Sequence, residues 1–249
     1  MQVVLLAAGL GSRLGALTES LPKALIQVAG ESLLARAVRF AERLRPTELL
    51  VVGGFGFSDV AAEVDRLRAR PELPQDHPEL RLLRNEQFRD GNLISLMTAR
   101  ELIREDFLLM NVDHIYRPAV AARVAPPIDE ITAFIDTDRT LGADDMKVER
   151  DPRGRVHAIA KTLTTFDCGY VGMTRVPTAA LARYWAAADA ALAEGGRTIH
   201  VERILARLAT SENPPACRDI SGIGWLEVDL RDERDLAEAT IQRDPGQWA

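Results

Sequence analysis

At 249 residues the chain is long enough to bury one large core. Its 47% hydrophobic and 27% charged content is that of an ordinary globular protein, and no apolar run approaches the ~18 residues that a membrane helix needs. A net charge of −6, from 31 basic and 37 acidic residues, argues against a broad nucleic-acid surface, so any polyanion must be held locally. No basic segment precedes the opening apolar run, so no signal peptide and a cytoplasmic location are expected. Cys168 and Cys217 have neither metal-ligand spacing nor the density of a disulfide framework, and both are expected to be buried thiols.

In chain order, V3-V-L-L-A-A reads as a buried strand that runs into a loop of small residues, A7-A-G-L-G-S-R. An amphipathic helix is expected over Glu31 to Leu44, a strand over Glu48 to Val52 ending in Gly53-Gly54, and a helix over Val60 to Arg68. A Pro-rich connector over residues 71–78 leads to a short strand at Leu80 to Leu83. Asn92 is placed to cap a helix over Leu93 to Ile103, and Phe107 to Val112 is a strand that delivers Asp113 at its C-terminal end. From Ile131 the pattern changes to short strands joined by turns, among them M146-K-V-E-R and R155-V-H-A-I-A-K around D151-P-R-G, then C168-G-Y-V-G-M-T. Helices at Thr178 to Ala193 and Ile199 to Leu208, a strand at Trp225 to Val228 ending in Asp229, and a helix from Glu233 to Ile241 close the chain. The pattern predicts a Rossmann-like α/β fold: a mostly parallel mixed sheet flanked by helices, with an antiparallel β-rich portion in the second half.

The chemistry begins in the first loop. Gly9 and Gly11 let backbone N–H groups approach phosphate oxygens, Arg13 offers a fork of donors, and Pro22 stiffens the chain before Lys23. The loop is neither a Walker loop nor a complete dinucleotide fingerprint. Of the basic residues only Lys23, Lys147 and Lys161 are lysine. A chain this rich in arginine keeps lysine most readily where a compact ammonium is needed beside phosphate. The alternative reading of Lys147 and Lys161 is as edge-strand lysines that discourage aggregation, and the scarcity of lysine favours the functional one. Asp113 and Asp229, each ending an apolar strand, are candidate Mg²⁺ ligands, since a hard cation bridges carboxylates to substrate phosphates. His114 and Tyr116 are read as packed and hydrogen-bonded, and Asp144, Asp145 and Asp167 as either acceptor contacts or turn residues.

L6-A-A-G-L-G-S-R-L with P22-K-A-L-I-Q-V-A-G-E-S-L-L resembles the signature of the nucleotidyltransferase superfamily that joins NTPs to sugar phosphates and related phosphate monoesters. The segments G91-N-L-I-S-L, D113-H-I-Y and F166-D-C-G-Y-V-G-M are most similar to CTP:inositol-1-phosphate cytidylyltransferases, with phosphocholine and aminoalkylphosphonate cytidylyltransferases more distant. N111-V-D and G169-Y depart from that pattern, and a fused membrane domain carried by some relatives is not expected here.

The resemblance implies a single domain over residues 1–249, with 1–130 mainly binding nucleotide and 131–249 mainly binding acceptor and giving the second metal ligand. Arg13 and Lys23 would contact phosphates, and Lys161 would join them at the reacting centre. Ala7, Ala8, Gly9, Gly11, Ser12, Gly53, Gly91 and Asn92 would surround the nucleotide, Lys147 and Lys161 the acceptor, and Asp113 and Asp229 would chelate Mg²⁺. The implied reaction joins CTP to a small phosphate monoester, with inositol-1-phosphate first. Another acceptor, UTP or GTP, or a catalytically inactive nucleotide-binding subunit remain alternatives. The expected partners are these small molecules, with no nucleic acid and no membrane insertion, and a homodimer is left open.

Overall fold

The computed structural model describes residues 1–18, 21–71 and 77–248. β1 (Gln2–Ala7) is buried throughout. Val3, Leu5 and Ala7 join one core layer, and Val4 and Leu6 the other. Covering on both faces is why the sequence shows an unbroken apolar run instead of alternation. Each fully buried Val or Leu of this kind contributes ~1.5–3 kcal/mol.

After β1, a loop with short 3₁₀ turns leads to a small hairpin, β2 (Gln27–Val28) and β3 (Glu31–Ser32), and then to α1 (Leu33–Glu42). β4 (Glu48–Gly53), α2 (Phe57–Arg68), β5 (Glu79–Arg84), α3 (Asn92–Ala99), β6 (Phe107–Asn111), β7 (His114–Tyr116) and α4 (Ala121–Val124) complete the first half. The second half runs β8 (Thr132–Asp136), β9 (Lys147–Arg150), β10 (Val156–Ala160), β11 (Cys168–Val176), α5 (Leu181–Gly195), α6 (Glu202–Ala209), β12 (Ala216–Asp219), β13 (Trp225–Glu227) and α7 (Arg231–Arg243).

One nine-stranded sheet crosses both halves in the order β10-β9-β11-β6-β1-β4-β5, with β8 beside β11 and β12 beside β8. β6, β1, β4 and β5 are parallel. β11 is antiparallel to β6, β8 and β9, and β10 is antiparallel to β9. The expected parallel first half and antiparallel second half are therefore both present. α1, α2 and α7 pack on one face of the sheet, and α3, α5 and α6 on the other.

Several local expectations are corrected. The helix expected from Glu31 begins at Leu33, because Glu31 and Ser32 pair with the β2 strand and the Ser32 hydroxyl accepts the Ala35 N–H at 3.0 Å as its cap. Asn92 is not the cap of α3. Gly91 holds that position, and the Asn92 side chain instead accepts the Val201 N–H at 2.8 Å. The α-helix ends at Ala99 and continues as a 3₁₀ turn over Arg100–Leu102. Of the Pro-rich connector, residues 72–76 lie outside the described residues. Cys168 is buried and Cys217 half-buried, both as free thiols, and burial pushes both well above the ordinary thiol range.

Candidate active site

The C-terminal ends of β1 and β6 open onto a cleft of about 450 Å³. Ala7, Ala8, Gly9, Gly11, Ser12 and Arg13 form one wall, and Asn92, Asp113, Lys161, Glu202, Glu227 and Asp229 are among the residues opposite. Strand ends of this kind are where open α/β sheets place ligands. A larger hollow of about 850 Å³ lies between α1, α2 and α7. Its arginines are matched to glutamates, Arg36 and Arg39 to Glu31 and Arg66 to Glu63. The smaller cleft is the one at the strand ends, and the loop after β1 lines it.

Two carboxylates far apart in sequence meet there because β7 pairs with β13. Glu227 stands opposite His114 in that register, and the Val228 N–H donates to the Asp113 carbonyl at 2.9 Å. The Lys23 ammonium lies between the two side chains, 2.7 Å from Asp113 Oδ2 and also hydrogen-bonded to Asp229 Oδ1. Arg13 donates to Asp229 and stands 3.6 Å from Asp144. Burial by itself would lower the Lys23 pKa, but the charges of Asp113 and Asp229 outweigh it and raise it. Burial would likewise raise Asp113, yet Lys23 and His114 hold it well below the usual carboxylate range.

No group of three or more His, Cys, Asp and Glu side chains able to hold a metal occurs among the described residues. The fit of Mg²⁺ therefore rests on two carboxylates. Their oxygens already converge on one small cation, the Lys23 ammonium, and Mg²⁺ characteristically takes one or two carboxylates and completes its shell with phosphate oxygens and water. Asp113 and Asp229 suit that ion.

His114, expected to be packed and hydrogen-bonded, is both, and it also lines the cleft. Its Nδ1 shares a 2.7 Å hydrogen bond with Asp113 Oδ1, leaving Oδ2 toward Lys23. The ring stacks against Trp225, with centroids 5.3 Å apart, and lies against Gly172. Gly172 has φ +73°, and a Cβ there would stand 2.7 Å from His114 Nε2. Burial lowers the His114 pKa and the carboxylates of Asp113 and Glu227 raise it, with a net rise. Glu227 was missed, although a period of two places it on the same side of its strand as Asp229. Nothing local in the sequence marks Glu202.

Gly53, Gly91 and Lys147 are not among the cleft-lining residues. Gly53 packs against Phe57 and Val60. Gly91 donates to the Arg197 carbonyl at 2.7 Å, and a Cβ on it would stand 1.8 Å from the Ile199 oxygen. Lys147 is buried, and its ammonium donates to the carbonyls of Gly142 at 2.7 Å and Lys161 at 2.8 Å. It thereby ties down the loop that brings Asp144 and Asp145 to the cleft. Asp167, in contrast, pairs with Arg150.

Residues 3–211 match the model of the MobA-like NTP transferase domain. The chain is 28% identical over 239 residues to the bifunctional IPC transferase and DIPP synthase of Aquifex aeolicus, covering 94% of this chain and 50% of that protein. It spans about half the length of the curated relatives of that name that it matches over nearly all of its own length. The inositol-1-phosphate CTP transferase of T. maritima superposes with a TM-score of 0.78 at 17% identity, over 97% of this chain and 96% of the other. The CTP:phosphocholine cytidylyltransferase LicC of Streptococcus pneumoniae gives a TM-score of 0.74 at 18% identity, over 96% and 98%. These two likenesses establish a shared fold. No described helix is long and apolar enough to cross a membrane. With a family match over most of its length, the chain belongs to the MobA-like NTP transferase family of nucleotidyltransferases.

Proposed function

We propose that the protein transfers the cytidylyl group of CTP to a phosphate monoester, inositol-1-phosphate, giving CDP-inositol and pyrophosphate. The observation that carries this reading is the convergence of Lys23, Arg13, Asp113 and Asp229 beside the phosphate loop. The similarity to proteins named for IPC transfer and for inositol-1-phosphate CTP transfer supports the choice of nucleotide and acceptor.

An oxygen of the acceptor phosphate attacks the α-phosphorus of CTP in line. The new P–O bond forms as the bond to the bridging oxygen breaks, and that electron pair leaves with pyrophosphate. A phosphate monoester is largely ionised near neutral pH, so neither a protein nucleophile nor a general base is required. The backbone of Gly9 to Ser12 and the guanidinium of Arg13 hold the leaving phosphates, Lys23 turns its ammonium to the reacting phosphate, and Lys161 meets the acceptor phosphate. Mg²⁺ held by Asp113 and Asp229 would neutralise charge on the phosphate oxygens. Both substrates are soluble, and the reaction is assigned to the cytoplasm.

A catalytically inactive subunit would have no reason to keep all four of these charged groups in one place. The test is pyrophosphate release with Mg²⁺, scanning four NTPs against inositol-1-phosphate, phosphocholine and a sugar 1-phosphate. The expected result is turnover with CTP and inositol-1-phosphate. Binding of CTP without release against any monoester would defeat the proposal.

A further inference from the structure

Two glutamates of the cleft wall have no part in the chemistry above. Glu202 opens α6 and Glu227 ends β13, and both line the cleft that Lys161 enters. Glu202 makes no side-chain ion pair among the described residues, and its own backbone N–H is its donor. Burial pushes it above the usual carboxylate range, a cost that a donor from a ligand would relieve. Glu227 stands 3.7 Å from Arg139, which is also 3.4 Å from Asp145.

Glu202 is positioned from the nucleotide side of the molecule. The Gly91 N–H bond to Arg197, the absence of a Cβ against Ile199, and the Asn92 bond to Val201 clamp the segment that leads into α6. The Gly91-Asn92 pair thus fixes a carboxylate that lines the cleft.

The aromatic surface of the cleft is already engaged. Trp225 stacks on His114, and the Arg139 guanidinium lies 4.5 Å from its ring centroid. Phe88 carries Arg89 at 5.3 Å. Tyr170 is buried, with its hydroxyl bonded to Thr174 at 2.8 Å. A quaternary ammonium is recognised by free aromatic faces, and here the chain's own cations cover two of them. Neutral hydroxyl groups meet no such conflict, and they donate to carboxylates in strong charge-assisted bonds.

Resting on the cytidylyl-transfer reading, we infer that Glu202 and Glu227 select the acceptor, accepting hydrogen bonds from the uncharged hydroxyls of a polyol phosphate whose phosphate lies toward Lys161, and that quaternary-ammonium monoesters are rejected. The test is calorimetric titration of the full chain with inositol-1-phosphate and with phosphocholine, in Mg²⁺ and α,β-methylene-CTP, which cannot be split. Inositol-1-phosphate should bind at least about tenfold tighter than phosphocholine. Glu202→Ala should weaken it about tenfold while leaving the nucleotide analogue within about twofold, and the isosteric Glu202→Gln should fall between. Equal binding of phosphocholine, undetectable binding of inositol-1-phosphate, or an affinity unchanged in Glu202→Ala would overturn the inference. Turnover separates the two readings: a polyol monoester that binds through Glu202 without releasing pyrophosphate from CTP sinks cytidylyl transfer and leaves the selection standing.

Discussion

The chain before residue 130 and the chain after it build one cleft by different means. In the first half, the functional groups sit where strand ends and a Gly-rich loop leave them: Arg13 and Lys23 follow β1, and Asp113 follows β6. In the second half the groups depend on supports. Lys147, outside the cleft lining, ties the loop of Asp144 and Asp145, and the strand pairing of β13 with β7 brings in Asp229. Gly172, itself at the cleft, makes room for His114 of the first half. The first half is governed by charge at short range. The second is governed by positioning, so its mutations should divide substrate binding from turnover more finely.

That contrast can be broken most directly at Asp113. Asp113→Ala removes one of two carboxylates, leaving His114 without its carboxylate partner and Lys23 with Asp229, so turnover should fall about 10³-fold with every acceptor. Retained turnover in a pyrophosphate assay would move the metal site elsewhere. Lys23→Met leaves Asp113 and Asp229 facing one another, which should cost about 3 kcal/mol in metal-free protein. Added Mg²⁺ should then raise the melting temperature of this variant more than that of the parent, because it replaces the missing cation.

Smaller effects test the positioning half. Gly172→Ala combines a left-handed backbone with a collision against the His114 ring and should cost about 2 kcal/mol in denaturant unfolding. Lys147→Met should raise the KM for the acceptor about tenfold and leave the KM for CTP unchanged. Equal rises in both would merge the two halves. The mildest effect concerns pH. Burial raises the Glu202 pKa in the folded chain above that of an exposed glutamate. Between the unfolded and folded values the native state therefore holds a proton that the unfolded state has lost, and stability declines as pH rises through that window. Glu202→Gln should lack this decline, melting higher than the parent at pH 8 and no higher at pH 4.

How much of this was legible follows from the range of each interaction. The loop from Ala7 to Arg13, the strand-end aspartates and the lysine at position 23 lie in contiguous motifs, and the structure gathers them in one cleft. The three-residue strand His114–Tyr116 is too short to stand out, while the packed, hydrogen-bonded setting expected of His114 is the one the structure shows. Asn92 was read as a helix cap because its side chain suits one, but a backbone N–H from α6's approach competes for it. Lys147 was read with Lys161 from their rarity, yet rarity does not say whether an ammonium meets a phosphate or a ring of carbonyls.

The sequence by itself determined a parallel first half, an antiparallel second half and a loop of small residues after the first strand, because these are written in periodicity and in residues next to one another. The tertiary structure decided that Asp113 meets Asp229 around one cation, and that Glu202 faces the cleft. Those positions depend on the pairing of β7 with β13 and on the close approach of Gly91 to the segment before α6. Contacts between residues so far apart along the chain leave no local pattern, since what fixes them is the packing of the whole sheet.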